Sequence, residues 1–318
     1  MSRRRSRSAP DGGISRRRFL GWSAAAGAVA VFGPVRLRAA TGPLIRRSIP
    51  ASAERIPVIG LGTARTFDVD PGDPAAMAPL QGVMSRFFEG GGRLVDSSPM
   101  YGHAEAVVGA LARQLGIADE LFMATKVWTR GRENGIAQME RSGERMGGGR
   151  LELVQVHNLV DLRTQLDTLR RWREAGRVRY IGVTHYRSDM HRELAGIVER
   201  EPIDFVQFNY NIVQRNAEQR LLPAAADRGV AVLVNEPFER GTLFRRVRGR
   251  ALPAWAGEVG ASSWAQYFLK FIVSHPAVTC AIPATSDPAH AADNVGAAHG
   301  ALPDTSGRER MVGYFRDL

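Results

Sequence analysis

Eight apolar runs of strand length recur along residues 58–282, and this repetition constrains the fold more than any other feature of the sequence. The runs lie at residues 58–61, 93–95, 121–124, 151–156, 178–183, 205–208, 230–234 and 278–282. Stretches with helical periodicity separate them, such as Leu162, Leu166, Leu169 and Trp172. Uniformly apolar strands that alternate with amphipathic helices indicate a parallel sheet whose outer face is covered.

Eight such units in roughly 260 residues fit a closed (β/α)8 TIM barrel of the α/β class better than an open doubly wound sheet. A Rossmann sheet is the alternative, but no GxGxxG motif follows an early strand. No linker or shift of composition divides the chain after residue 45. We therefore expect a single barrel domain over residues 45–300 and a short C-terminal tail over residues 301–318.

The positive charge of the chain is concentrated at its N-terminus. The whole chain has a formal net charge of +11, but residues 1–47 hold 11 Arg and one acidic residue, Asp11. The remaining residues carry a net charge of +1. The predicted barrel therefore lacks the basic footprint of a nucleic-acid-binding protein, and no nucleic acid partner is expected.

The N-terminal segment has the order of an export signal: a basic region, a short apolar region and a stretch of small residues. The apolar run over residues 20–33 is shorter than the roughly 20 residues that a membrane-spanning helix needs. With Arg16 and Arg17 as the pair, residues 1–40 resemble a twin-arginine signal peptide. This resemblance implies the twin-arginine export machinery as a partner, a periplasmic or otherwise exported location, and no stable membrane span in the mature form. A disordered basic tail and an uncleaved anchor are the alternatives.

Four polar side chains stand at or just after the carboxyl ends of predicted strands, where barrel enzymes build their active sites. Asp96 ends the second strand and Tyr101 follows in its loop, while Lys126 and His157 end the third and fourth strands. Each is a residue type that can move or orient a proton. These four residues are the candidate catalytic set.

The segments around these residues resemble the active-site series of the aldo-keto reductases. The similar segments are residues 56–63, 94–105, 124–128, 154–158, 176–184 and 282–286, together with Asn294. They occur in the order of that family and span about residues 45–300. The resemblance implies a (β/α)8 barrel that uses NADP, with NAD as an alternative, to interconvert a small-molecule carbonyl and an alcohol with Tyr101 as general acid and base.

The chemistry of carbonyl reduction fits these residue types. Hydride transfer to a carbonyl leaves an alkoxide, which a phenol can protonate at neutral pH if its pKa of about 10 is lowered. We expect Lys126 to lower the pKa of Tyr101, Asp96 to hold the ammonium, and His157 to donate a hydrogen bond to the substrate oxygen. The chain has only two Lys among 43 basic residues, so it uses Arg almost wherever a cation is needed. Lys126 at a strand end therefore indicates a position that requires a compact ammonium, which a guanidinium cannot replace.

The resemblance also implies where the cofactor and the substrate bind. The expected cofactor-binding residues are Thr63, Thr184, His185, Gln207, Asn235, Thr285, Ser286, His290 and Asn294, and Trp128 is expected to face the substrate. Asn235 stands where the family stacks an aromatic ring on the nicotinamide. Ala284 and His290 stand where many members have cations that grip a 2′-phosphate, so the preference between NADP and NAD is left open.

Two other classes of function compete with this interpretation. A barrel that binds a nicotinamide cofactor with little turnover, as a redox sensor or partner-binding protein, would account for the altered cofactor environment. A different barrel enzyme, such as a hydrolase, would need a nucleophile or metal site. Cys280 is the chain's single cysteine, and His157, His185 and Asp96 lack metal-ligand spacing, so no metal is expected.

Overall fold

The structure, a computed structural model, describes residues 42–148 and 151–318. The predicted signal peptide lies outside these residues. The described chain begins with an antiparallel hairpin of two short strands, β1 (Arg46–Ser48) and β2 (Arg55–Pro57). Ile49 and Ile56 of this hairpin are buried against Leu94 and Phe122, which lie at the starts of barrel strands. The hairpin therefore covers the amino-terminal end of the barrel, a feature that the strand pattern did not predict.

Eight parallel strands follow and pair in the order in which they occur in the chain. They are β3 (Leu61–Gly62), β4 (Leu94–Asp96), β5 (Phe122–Val127), β6 (Leu151–His157), β7 (Val178–His185), β8 (Phe205–Asn209), β9 (Ala231–Asn235) and β10 (Cys280–Ala281). Two parallel bridges, Ile59 with Ala281 and Gly62 with Ala284, join the first barrel strand to the last. The predicted (β/α)8 fold is confirmed, and each apolar run contributes one strand.

Ten α-helices are found among the described residues. They are α1 (Pro74–Glu89), α2 (Ala104–Gln114), α3 (Arg132–Met146), α4 (Leu162–Glu174), α5 (His191–Arg200), α6 (Leu221–Arg228), α7 (Thr242–Arg246), α8 (Trp264–Val273), α9 (Pro288–Gly296) and α10 (Thr305–Arg316). Helix α4 buries Leu166, Leu169 and Trp172, the apolar face that the sequence periodicity predicted. Helix α1 begins with Pro74 at its first position, behind an Asp73 carboxylate that accepts two backbone N–H groups.

Side chains alternate along each barrel strand between the interior and the helices. In β5, Phe122 and Ala124 belong to the inner apolar cluster, whereas Met123 packs in the outer layer. By the same alternation, Lys126 faces the barrel interior at the carboxyl end of β5. Several other strands run in the same way from an inner apolar residue to an inner polar one: Leu94 to Asp96, Leu153 to His157, Phe205 to Gln207 and Leu233 to Asn235. The interior therefore changes from apolar to polar toward the carboxyl ends of the strands.

The predicted C-terminal tail contains helix α10, which buries Met311 and Phe315 against the body of the protein. An Arg308 guanidinium nitrogen donates to the Tyr210 hydroxyl at 2.6 Å. The buried Lys270 Nζ donates to the carbonyl oxygens of residues 299 and 301 at 2.8 and 2.6 Å. Residues 301–318, expected as a short tail, are thus packed structure and contain a helix after α9.

The first described residues pair with residues close to the other end of the chain. Leu44 forms an antiparallel bridge with His299, and the N–H of Ile45 donates to the Ala298 carbonyl at 2.7 Å. This pairing leads directly into β1 and fixes the N-terminal segment on the barrel. No helix in the described part of the chain is both long and apolar enough to cross a membrane.

Candidate active site

A cavity of about 690 Å³ opens at the carboxyl ends of the barrel strands. Its wall combines strand ends with the loops that follow β3, β4, β6, β7 and β9. Three of the four predicted catalytic residues, Asp96, Tyr101 and His157, line it directly. The fourth, Lys126, is fully buried at its edge. The barrel thus brings together four residues that lie up to 61 positions apart in the sequence.

Lys126 and Asp96 form a buried ion pair. The Lys126 ammonium donates to Asp96 Oδ2 at 2.7 Å and to the carbonyl oxygen of Ser97 at 2.7 Å. The second oxygen, Asp96 Oδ1, accepts from the Gln207 amide at 2.9 Å, and Gln207 Oε1 accepts from the Thr184 hydroxyl at 2.9 Å. Thr184 and Gln207 therefore hold the carboxylate that holds the ammonium, in addition to lining the cavity.

Tyr101 lies beside this pair, with the centre of its ring 5.1 Å from Lys126 Nζ. Burial raises the pKa of Tyr101, the attraction of Lys126 lowers it, and the net result is a pKa above its ordinary value. Burial lowers the pKa of Lys126, but Asp96 and Tyr101 outweigh it and leave that pKa raised. Lys126 thus acts on the phenol's pKa in the expected direction, but burial has the larger effect, so the pKa is not brought toward neutrality. At neutral pH the pair is an ammonium beside a protonated phenol.

His157 stands at a right angle to Tyr101, with 5.7 Å between the ring centres. Its Nδ1 atom lies 2.9 Å from the Ser98 hydroxyl. Burial, together with the positive charge of Lys126, lowers the pKa of His157 to about 2. The imidazole is therefore neutral at any physiological pH and can donate a hydrogen bond without carrying charge.

The expected cofactor-binding residues divide into two groups. Thr63, Thr184, Gln207 and Asn235 line the cavity. The buried Asn235 Oδ1 atom has no hydrogen-bond partner among the described residues. Asn235 thus offers a free acceptor in the wall of the cavity.

The second group lies outside the cavity wall: His185, Thr285, Ser286, His290 and Asn294. His185 is buried and stacks on Tyr186, with 5.5 Å between ring centres. Thr285 accepts the N–H of Asp287, and Asp287, not Thr285 or Ser286, caps helix α9. Asn294 is buried within α9, whereas Ser286 and His290 are exposed.

Aromatic residues near the cavity differ in part from those expected. Trp128 is 42% exposed and lies outside the wall, and the aromatic Phe67 after β3 is fully buried in the core. Tyr186 and Phe244 line the cavity instead, beside Phe238. Tyr186 follows directly on β7, so its position next to a strand end was an available signal, whereas Phe244 lies on α7, away from any strand end.

Arg240 and Glu236 add charge to the wall after β9. The Arg240 guanidinium donates twice to Glu236 Oε1, at 2.8 and 2.6 Å, and lies 5.4 Å from the centre of the Tyr186 ring. Arg65, in the loop after β3, also lines the cavity. These charged residues were not predicted, because the resemblance implies phosphate-binding cations only at positions 284 and 290.

The arrangement is suited to moving a proton to or from a bound molecule. It combines a protonated phenol, a fixed ammonium and a neutral imidazole at the mouth of one cavity. Within residues 42–148 and 151–318, no group of three or more His, Cys, Asp or Glu side chains is placed to hold a metal ion.

Comparisons with solved structures place this fold among known barrels. An aldo-keto reductase from Klebsiella pneumoniae in complex with NADPH has a TM-score of 0.71 and 22% identity, covering 86% of this chain and 95% of that one. A holo aldo-keto reductase from Bacillus halodurans has a TM-score of 0.66 and 19% identity, covering 86% and 96%. At these identities the similarity establishes the (β/α)8 fold.

Sequence comparisons give the family. Aldo-keto reductase YhdN of Bacillus subtilis is 27% identical over 165 residues, covering 47% of this chain and 49% of YhdN. The chain thus spans about half the length of this curated relative. A twin-arginine translocation signal model matches residues 13–33, which supports the predicted export signal. The model of the aldo/keto reductase family matches residues 58–308, most of the chain. The chain therefore belongs to the aldo/keto reductase family.

Proposed function

We propose that this protein is an exported, NADP-dependent oxidoreductase that interconverts an aldehyde or ketone and the corresponding alcohol. One observation carries the proposal: the Lys126 ammonium is held by Asp96 at 2.7 Å and lies 5.1 Å from the Tyr101 ring, at the edge of an open cavity. A generic salt bridge would not need a phenol beside it. Membership of the family supports an oxidoreductase, and the position of Lys126 beside the phenol supports Tyr101 as the proton donor.

The residues of the cavity fit a nicotinamide cofactor. A volume of about 690 Å³ is within the range of small-molecule sites. Asn235, Thr184 and Gln207 line the cavity together, and the unpartnered Asn235 Oδ1 supports a hydrogen bond from the carboxamide N–H. Arg65 and Arg240 are cations that can face the diphosphate. When bound, the reduced cofactor supplies the hydride.

The adenosine end of the cofactor is assigned to the loop before α9 and its first turns. The cofactor-binding residues expected there are Thr285 and Ser286 in the loop and His290 and Asn294 in α9. Thr63 supports the neighbouring strand end through a hydrogen bond to the Asp96 carbonyl at 2.9 Å. The assignment to NADP is supported by the solved neighbours that hold NADP or NADPH. Because Ala284 supplies no cation, NAD is expected to compete.

In the reducing direction, the Tyr101 hydroxyl donates its proton to the substrate oxygen. Its raised pKa keeps the phenol protonated and ready to act as an acid at neutral pH. Lys126 stabilises the phenolate that remains, and Asp96 keeps Lys126 in place and charged. His157 donates a neutral hydrogen bond that orients the substrate oxygen toward Tyr101.

The location follows from the signal. Twin-arginine export carries folded proteins, so we propose that the barrel folds and takes up its cofactor inside the cell and then functions in the periplasm or outside. The partner in transit is the twin-arginine export machinery.

The experiment is a comparison of the wild-type protein with Tyr101→Phe. NADPH oxidation is followed by absorbance with a panel of aldehydes and ketones, and NADPH binding is measured separately by fluorescence. Tyr101→Phe is expected to lose about 10²–10⁴-fold in kcat with little change in the Kd for NADPH. Tyr314→Phe, which removes a hydroxyl on α10, is the matched control and keeps wild-type turnover.

Two outcomes would count against the proposal. Binding of NADPH without turnover of any carbonyl would favour the cofactor-binding barrel with little catalysis. Turnover that survives in Tyr101→Phe would show that another group donates the proton.

A further inference from the structure

The Ser98 hydroxyl and the His157 ring form a buried contact that the proposed reaction does not yet use. Ser98 Oγ lies 2.9 Å from His157 Nδ1. Ser98 has no exposed surface, and His157 is only 5% exposed. The two residues come from different strands, since Ser98 follows β4 by two positions and His157 ends β6. The contact therefore joins the loop after β4 to the end of β6, where His157 lines the cavity.

The direction of this hydrogen bond follows from the second contact of Ser98. The backbone N–H of Met100 donates to Ser98 Oγ at 3.2 Å, so the oxygen already accepts one hydrogen bond. Among the described residues, His157 Nδ1 is the acceptor within reach of the hydroxyl proton. If Nδ1 carried a proton instead, the Ser98 hydroxyl would be a buried donor without an acceptor, which is unfavourable. Ser98 therefore donates, and Nδ1 accepts.

We propose that Ser98 is a positioning residue that fixes His157 in the tautomer with its proton on Nε2. The inference rests on the proposed role of His157 as a donor to the substrate oxygen. A neutral imidazole has one proton, and with Nδ1 engaged by Ser98 that proton lies on the nitrogen that has no protein partner among the described residues. His157 thereby presents an N–H, and not a lone pair, to a carbonyl oxygen.

Among the described residues, no other hydrogen bond to the His157 ring selects the tautomer. The Tyr101 ring packs perpendicular to the imidazole and fixes its plane, but such a contact does not distinguish the two nitrogens. The charge of Lys126 disfavours a second proton on the ring, which keeps it neutral without selecting a nitrogen. The hydroxyl of Ser98 contacts only Nδ1 and therefore distinguishes the two ring nitrogens of His157.

The experiment reads the tautomer directly by nitrogen NMR of protein labelled with ¹⁵N-histidine. The chain has 7 His, and the His157 signals are assigned by their loss in His157→Gln. In the wild type we expect a protonated Nε2, a bare Nδ1, and no titration from about pH 6 to about pH 9. In Ser98→Ala we expect a population with the proton on Nδ1 to appear. With a carbonyl substrate, kcat should fall about twofold to about tenfold with KM little changed, the range for one neutral hydrogen bond.

Two variants serve as controls. Ser98→Thr keeps the hydroxyl and should restore both the Nε2 tautomer and kcat. Ser142→Ala removes an equally buried hydroxyl that donates to the Gln138 carbonyl at 3.1 Å on α3, and it should change neither measurement. If the loss of a buried hydroxyl acted only on the structure, Ser98→Ala and Ser142→Ala would change the tautomer and kcat in the same way.

The proposal is overturned if wild-type His157 carries its proton on Nδ1, or if Ser98→Ala leaves the tautomer unchanged. The wild-type measurement stands even if Ser98→Ala fails to fold. Because the NMR measurement needs no substrate, a protein that turns over no carbonyl would refute the proposed function while the tautomer assignment is still decided independently.

Discussion

Replacing Asp96 with Asn tests the buried ion pair on which the proposed chemistry depends. Asn has the size of Asp and keeps an oxygen for the Gln207 amide, which lies 2.9 Å from Asp96 Oδ1. Its other atom is a donor, however, and it would face the Lys126 ammonium that now lies 2.7 Å from Asp96 Oδ2. Both side chains are almost fully buried, 0% and 4% exposed, so the ammonium loses its counter-charge without gaining water.

The expected loss is about 3–5 kcal/mol in the free energy of unfolding, the usual effect of removing one partner of a buried pair. The loss should depend on pH. Burial lowers the pKa of Lys126 and Asp96 raises it, so the pKa of Lys126 falls in the variant. At pH values between the lower folded-state pKa and the higher unfolded-state pKa, the unfolded state binds more protons than the folded state. The stability of the variant therefore rises with pH over that range. The deficit relative to the wild type should therefore shrink from about pH 7 to about pH 9.

Urea denaturation at both pH values measures these differences. The double variant Asp96→Asn with Lys126→Met removes the stranded charge and should recover part of the stability while turnover stays lost. Asp167→Asn breaks an exposed pair with Arg170 and should cost no more than about 1 kcal/mol. An Asp96→Asn protein within about 1 kcal/mol of the wild type at both pH values would refute the view that Asp96 is the essential counter-charge.

Two further predictions concern proton transfer and export. Because burial holds the pKa of Tyr101 above its ordinary value, the rate of carbonyl reduction should be nearly constant from about pH 6 to about pH 9. Alcohol oxidation needs the phenolate, so its rate should rise with pH over the same range. Steady-state kinetics in both directions measures the two profiles, and a reduction rate that is halved near pH 7 would contradict the prediction. Replacing Arg16 and Arg17 with Lys should leave active protein inside the cell, as measured by activity in fractionated cells, and normal export of that variant would argue against the twin-arginine signal.

The strands were predictable because they are buried on both faces, so their runs are mostly apolar and contain few polar residues, such as Gln155, Arg179 and Gln207. The convergence of Asp96, Lys126 and His157 was predictable for a related reason. In a parallel barrel the carboxyl ends of all strands meet at one end, so three strand-end residues must lie close together.

Other features depend on packing that no local pattern records. The hairpin of β1 and β2 has three-residue strands and buries little except Ile49 and Ile56. Helix α10 was missed because its buried positions, Met311 and Phe315, form a short apolar face in a polar segment. The direction of the Tyr101 pKa depends on how completely the phenol is buried, which only the folded structure decides.

The pairing of the first described residues with the last part of the barrel has a consequence for the timing of synthesis. His299 Nδ1 contacts the Gly42 carbonyl across 257 positions of sequence, so this contact cannot form until nearly the whole polypeptide has left the ribosome. The matched export signal ends at residue 33, only a few residues before Gly42. A stalled or prematurely terminated chain would carry the same signal but leave residues 42–45 without their contacts to residues 298 and 299. The junction next to the signal therefore differs physically between finished and unfinished molecules.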